Sequence, residues 1–171
     1  MMIYLSMIES EADKDKFTRI YVSYGKLMYN IAYTILSNVQ DAEDAVHEAF
    51  VDIAKSIGII EDDNASKLKG LVTIMAERSA IDIYRKKAKR LNISLDACPE
   101  IPVEYTGGNQ LAQYMAKLPR NYRNVLLLKY HHGYTNKETA RIMKMSEAAV
   151  IKTDQRAKQK LKAMYAEEDL L

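Results

Sequence analysis

The chain has 171 residues, 48% of them hydrophobic and 28% charged, which is enough to bury one or two real cores. It holds no apolar run of eighteen residues, and its N-terminal stretch MMIYLSMIESEADKDKF lacks a basic n-region and a small-residue cleavage site. Membrane insertion and a secretory signal are therefore not expected, and the cytoplasm is the default location. Cys98 is the only cysteine and the three histidines have no metal-ligand spacing, so the sequence offers no internal disulfide, metal site or cofactor site.

The net charge of +2 conceals an asymmetry. Residues 1–64 carry twelve acids and five bases, residues 65–99 eight bases and three acids, and residues 100–171 twelve bases and eight acids. One end suits a basic partner and the remainder a polyanion, although each block taken alone is also consistent with a solvated face.

In chain order, Tyr24, Leu27, Met28, Ile31 and Ile35 recur at helical spacing and predict a first helix. A second follows Asn38, an N-cap with Asp41 at the third helical position. Its apolar stripe is Ala42, Ala45, Val46, Ala49, Phe50, Ile53 and Ile57, ended by Gly58, and its opposite face carries Asp41, Glu43, Asp44, His47, Glu48 and Asp52. A third helix spans roughly 66–90 on the stripe Leu68, Leu71, Val72, Met75, Ser79 and Ile83. It finishes in Arg85, Lys86, Lys87, Ala88, Lys89 and Arg90, more positive charge than a helix C-terminus needs for its dipole. Two of the three prolines and the pair Gly107-Gly108 then fall within 91–109, where the apolar spacing is lost. This stretch reads as a linker between a helical domain over 1–90 and a second over 110–171.

The second domain starts with a helix over Leu111–Lys117, stopped at Leu118-Pro119, and a helix from Arg120 to Gly133 carrying Tyr122, Val125, Leu126, Leu128 and Tyr130. Thr135 and Glu138 form a capping box ahead of a short helix over 136–143. Lys144-Met145 makes a turn, and Ser146 caps a last helix running to about Met164. No segment has strand periodicity, so the fold class is all-α.

Residues 135–161 have the layout of a helix-turn-helix: short capped helix, tight turn, longer capped helix. Ala140 is small where the helices must cross, and Ile142, Met145 and Val150 pack beneath the turn. On the last helix Lys152, Arg156 and Lys160 make one basic stripe suited to phosphates, while Glu147, Ala148, Ala149, Lys152 and Thr153 would face base edges. A helical hairpin with an exposed charged face is the plain alternative. Tyr84, beside the basic run at 85–90, supplies a ring for stacking on an unpaired base, or serves the core or its rim. His47 has no second metal ligand at suitable spacing. No nucleophile–base pair, P-loop or metal motif is present, so no enzyme activity and no small-molecule substrate are expected.

These motifs resemble those of bacterial RNA polymerase sigma factors. Residues 17–90, through Asp41 to Phe50 and Ala80 to Lys87, look like region two. Residues 110–163, through Leu118 to Val125 and Ser146 to Lys158, look like region four. The short linker leaves no room for a folded region three, as in the extracytoplasmic-function group. The resemblance implies that Asp41, Glu43, Asp44, His47 and Glu48 dock on the clamp helices of core polymerase. It implies that the segment with Arg78, Asp82, Tyr84, Arg85, Lys86 and Lys87 binds and opens the minus-ten promoter element. The helix from Ser146 would enter the major groove at the minus-thirty-five element, with Arg123 and Arg156 on backbone phosphate. Whether an anti-sigma factor partners the chain is left open.

Several positions depart from the family pattern. His47 replaces a usual glutamine, Arg78 an asparagine and Leu71 a tryptophan, and Ala148-Ala149-Val150 replaces Gly-Thr-Val. Thr153 replaces a base-reading arginine, removing a bidentate contact of about 1–3 kcal/mol. Asp154 replaces an apolar residue and, near phosphate, would repel it. Two rivals therefore stand beside the sigma-factor reading: a free-standing helix-turn-helix regulator, and a sigma-like regulator that binds polymerase without reading promoters.

Overall fold

A computed structural model describes residues 1–91, 98–99 and 110–168, with side chains to residue 166. The described residues form helices and no strand, in two compact units divided between Ile101 and Pro102. The stretch 91–109 read as a linker lies, apart from Leu91, Cys98 and Pro99, outside the described residues.

Unit one contains α1 (Met2–Leu5), α2 (Glu11–Leu36), α3 (Val39–Ser56), a 3-10 turn (Ile57–Ile59) and α4 (Ala65–Leu91). Each long helix starts on a side-chain cap. Ser10 accepts from the Asp13 N–H at 3.4 Å and Asn38 from the Asp41 N–H at 3.0 Å. Asn64 accepts from the N–H groups of Ser66 and Lys67, both at 3.0 Å. Such caps satisfy backbone donors that no helical carbonyl can reach. Ser37, at φ 49°, takes the left-handed turn that separates α2 from α3. Beyond α3 the chain tightens into the 3-10 turn, where Lys16 of α2 donates to the carbonyls of Ile57 and Ile60 at 3.0 and 3.1 Å.

The three long helices pack pairwise on one another. Phe17, Ile20 and Met28 of α2, Ala45, Phe50 and Ile53 of α3, and Leu71, Val72 and Met75 of α4 are all buried. Each such large side chain is worth about 1.5–3 kcal/mol of hydrophobic stabilisation. The first helix is longer than its apolar spacing suggested, beginning at Glu11 rather than near Tyr24. Asp52, expected on the solvent face of α3, is buried instead. It lies over the crossing with α4, where Arg78 supplies the opposite charge.

Unit two contains α5 (Gln110–Lys117), α6 (Arg120–Leu126) continued by a π turn (Leu127–His131), α7 (Asn136–Met143) and α8 (Glu147–Glu168). The π turn replaces the regular α-helix expected up to Gly133, which itself sits at φ 82°. The capping box at Thr135 and Glu138 is present in both directions. Lys144, at φ 50°, makes the tight turn to α8, and the Ser146 hydroxyl accepts from the Ala149 N–H at 3.1 Å. Val125, Ala140 and Val150, with Met145 against them, form the core beneath this turn. Met115, Leu118, Leu126 and Ala157 form a second cluster.

Candidate nucleic-acid and polymerase interfaces

α8 is sharply two-faced. Val150, Asp154 and Ala157 point inward, and Lys152, Arg156 and Lys160 are exposed. Glu147 and Ala148 at its N-terminus are exposed as well, Ala149 and Thr153 are half-buried, and the Ser146 hydroxyl serves as the cap. The outward stripe is thus made by cations at four-residue spacing, while the inward side locks the helix to α6 and α7.

Asp154 departs from the expectation that it would repel phosphate. It is 7% exposed and faces the π turn, not solvent. Its carboxylate accepts from Lys129 at 2.8 Å and from the Tyr130 hydroxyl at 3.1 Å, with Lys158 at 3.4 Å. Burial works to raise its pKa. The hydrogen bonds from Lys129 and Tyr130 and the charges of Lys129 and Lys158 outweigh that, leaving the carboxyl below the ordinary aspartate value. An acid stands at an inward, normally apolar position because two lysines and a phenol compensate it.

Arg123 also departs from its expected place on phosphate. It is 5% exposed and donates to the Ala116 carbonyl at 3.3 Å, holding the end of α5. Its sequence position among helix residues gave no sign that the side chain turns inward.

In unit one the acidic and basic surfaces expected from sequence are neighbours. Asp41, Asp44, His47 and Glu48 of α3 and Lys86, Lys87 and Arg90 of α4 surround one open groove of about 300 Å³. Lys87 closes an ion pair on Asp41 across it. Glu43 is exposed but does not line the groove. Arg85, Lys86 and Lys87 are exposed, and Tyr84 and Asp82 half-buried.

Arg78 is the third departure. Expected on the DNA-facing side, it lies 7% exposed in the interior, paired with Asp52 and 3.7 Å from Asp82. A buried guanidinium demands a carboxylate, and α3 supplies one. One contributor escaped sequence reasoning altogether. Tyr4 of α1 reaches the acidic face and meets His47 Nδ1 at 2.7 Å. Its only sequence signal is an aromatic ring in a short apolar segment.

A capped helix-turn-helix with an outward basic stripe, in a chain with a second, all-helical unit bearing an acidic helix face, defines a DNA-binding protein of the transcription machinery. The comparisons with known proteins narrow this. Residues 20–90 match the family described as Sigma-70 region 2, and residues 108–161 that described as Sigma-70, region 4. The chain is similar to the ECF RNA polymerase sigma factor SigM of Bacillus subtilis (strain 168). The two are 32% identical over 156 residues, covering 85% of this chain and 93% of SigM. It is 29% identical over 138 residues to SigW of the same organism, covering 70% and 73%. Among solved structures it resembles the sigma factor RpoE from Bartonella quintana, crystallised with the anti-sigma factor NepR. That likeness has a TM-score of 0.46 and 16% identity over 88% of this chain and 97% of that one.

The chain belongs to the sigma-70 family of RNA polymerase sigma factors, in the extracytoplasmic-function group. It directs RNA polymerase to promoters and takes part in transcription initiation.

Proposed function

We propose that the chain divides this work between its two units, residues 1–90 serving polymerase and the minus-ten element and residues 110–171 the minus-thirty-five element. The acidic face of α3, through Asp41, Glu43, Asp44, His47 and Glu48, docks on the clamp helices of core polymerase. The end of α4, through Asp82, Tyr84, Arg85, Lys86 and Lys87, holds the minus-ten element as it opens. The N-terminal half of α8, from Ser146 through Glu147, Ala148, Ala149, Lys152, Thr153 and Arg156, reads the minus-thirty-five element. Arg78 and Arg123 support these surfaces from within. The polymerase carries out the nucleotide chemistry, so the chain acts without a catalytic group of its own. Among the described residues no helix is long and apolar enough to cross a membrane, which is compatible with action in the cytoplasm.

The observation that carries this reading is the segregation of α8. Lys152, Arg156 and Lys160 stand outward, while the acid that would have opposed them, Asp154, is buried and neutralised. A polyanion meets only cations along that stripe. A second reading, a sigma-like regulator that binds polymerase without reading promoters, is favoured by Thr153, which has no guanidinium to offer a guanine.

The test is a pull-down of the purified chain with bacterial core RNA polymerase, followed by transcription from a random-promoter library. Binding with promoter-selective transcripts is the expected result. Binding without transcripts would favour the second reading. No binding would overturn the docking role given to α3.

A further inference from the structure

Residues before 20 lie outside the match to region two, yet one of them is built into the acidic face. Tyr4, 7% exposed, packs its ring against Phe17 and Tyr21 of α2 and Phe50 of α3, at centroid distances of 5.5, 6.0 and 5.8 Å. Its hydroxyl lies 2.7 Å from His47 Nδ1, with the two rings 5.4 Å apart. His47 itself is exposed and lines the groove beside Asp44, Glu48 and Lys86.

The tautomer of His47 sets the direction of this hydrogen bond. A phenol is a better donor than acceptor, and an unprotonated imidazole nitrogen is the stronger base. Burial and the neighbouring Tyr21 raise the Tyr4 pKa above the ordinary tyrosine value, so the hydroxyl keeps its proton. An accepting Nδ1 must carry a lone pair, and a neutral imidazole then carries its one proton on Nε2. The aromatic packing fixes where the hydroxyl sits and hence how the imidazole is turned.

We propose that Tyr4 is a positioning residue for polymerase docking. It holds His47 as the Nε2–H tautomer and so presents one N–H donor among the carboxylates of α3, for a carbonyl oxygen on core polymerase. The acidic face thereby gains a directional contact that carboxylates, which only accept, do not supply. The inference rests on the docking role given to α3 above.

The experiment uses the full chain with 15N-labelled histidine. Nitrogen chemical shifts are recorded at mildly alkaline pH, and the His47 signals are assigned by their loss in His47→Gln. Affinity for core polymerase is measured alongside for Tyr4→Phe, His47→Ala and the double variant. Tyr4→Phe removes the hydroxyl and keeps the ring. The expected result is a pure Nε2–H tautomer in the parent chain and a tautomer mixture in Tyr4→Phe. Tyr4→Phe should also bind polymerase about two- to tenfold more weakly, the range of one neutral hydrogen bond. On top of His47→Ala it should cost nothing further. An Nδ1–H tautomer in the parent chain would overturn the proposal, as would losses that simply add, which would mean that the Tyr4 hydroxyl acts independently of His47. Unchanged binding in His47→Ala would overturn the donor role. Failure of the docking reading itself is separately visible: Asp44→Lys with Glu48→Lys would then leave polymerase binding intact.

Discussion

Arg78 on α4 and Asp52 on α3 form an ion pair inside unit one, with side chains 7% and 11% exposed. Both charges are largely withdrawn from water, and removing Asp52 leaves the buried guanidinium to Asp82, 3.7 Å away and more exposed. Asp52→Ala should therefore cost roughly 3–5 kcal/mol in urea unfolding. Replacing both residues together by Leu and Met should be close to neutral, because the apolar pair removes both desolvation penalties. A loss below about 1 kcal/mol for Asp52→Ala would mean that water reaches the guanidinium.

The same pair shows where sequence reading stops. Helix periodicity assigned α3 and α4 correctly because apolar residues at three-four spacing must share a buried stripe. The caps at Asn38, Thr135 and Ser146 were equally legible, since a side-chain acceptor ahead of a free N–H is a local relationship. Asp52, Arg78, Arg123 and Asp154 were not, because a charge is buried only when another element brings a partner to it, and that depends on the crossing of helices far apart in sequence. The groove shared by Asp41 and Lys87 was hidden for the same reason: 46 residues separate the two ends of that ion pair. Tyr4 was invisible because four helical residues at a chain end carry no periodic signal.

Asp154 gives a prediction with a definite pH sign. Its folded-state pKa is depressed below the ordinary value, so its contribution to stability is fully present above the unfolded carboxyl pKa of about 3.9. That contribution fades as pH falls through the folded value. Asp154→Asn should unfold with a flatter stability profile below about pH 4 than the parent chain. At neutral pH it should be about 1.5–3 kcal/mol less stable, the range for hydrogen bonds to a charged group. Denaturant melts of both chains across that pH range check this. Parallel acid limbs would show that Asp154 is not held by Lys129 and Tyr130 in solution.

The docking face makes a charge-reversal prediction. Asp44 is exposed and Glu48 half-buried, and both border the groove. The Asp41–Lys87 ion pair, which ties α3 to α4, does not involve either. Asp44→Lys with Glu48→Lys should abolish co-purification with core polymerase through like-charge repulsion of a basic partner. The helical circular dichroism should be unchanged and the melting temperature should move by no more than a few degrees, as for surface substitutions. Retained co-purification would place polymerase on another surface.

Arg123 and Arg156, both in unit two, separate support from phosphate contact. Lys152 and Arg156 are exposed on α8, whereas Arg123 is 5% exposed and bonded to the Ala116 carbonyl. Each cation that meets a phosphate releases about one counterion, so it adds close to one unit to the slope of log affinity against log salt. Lys152→Ala with Arg156→Ala should weaken binding of polymerase holoenzyme to upstream promoter DNA and reduce that slope by about two, with stability unchanged. Arg123→Ala should do the reverse. It removes the donor to α5 and leaves a cavity between α5 and α6, so the protein should lose roughly 1–3 kcal/mol in denaturant melts. The salt slope of the folded fraction should stay where it was. Filter-binding titrations at several salt concentrations, set beside those melts, distinguish the two outcomes. A salt slope that falls for Arg123→Ala as it does for Arg156→Ala would mean that the Arg123 guanidinium leaves the interior to meet DNA.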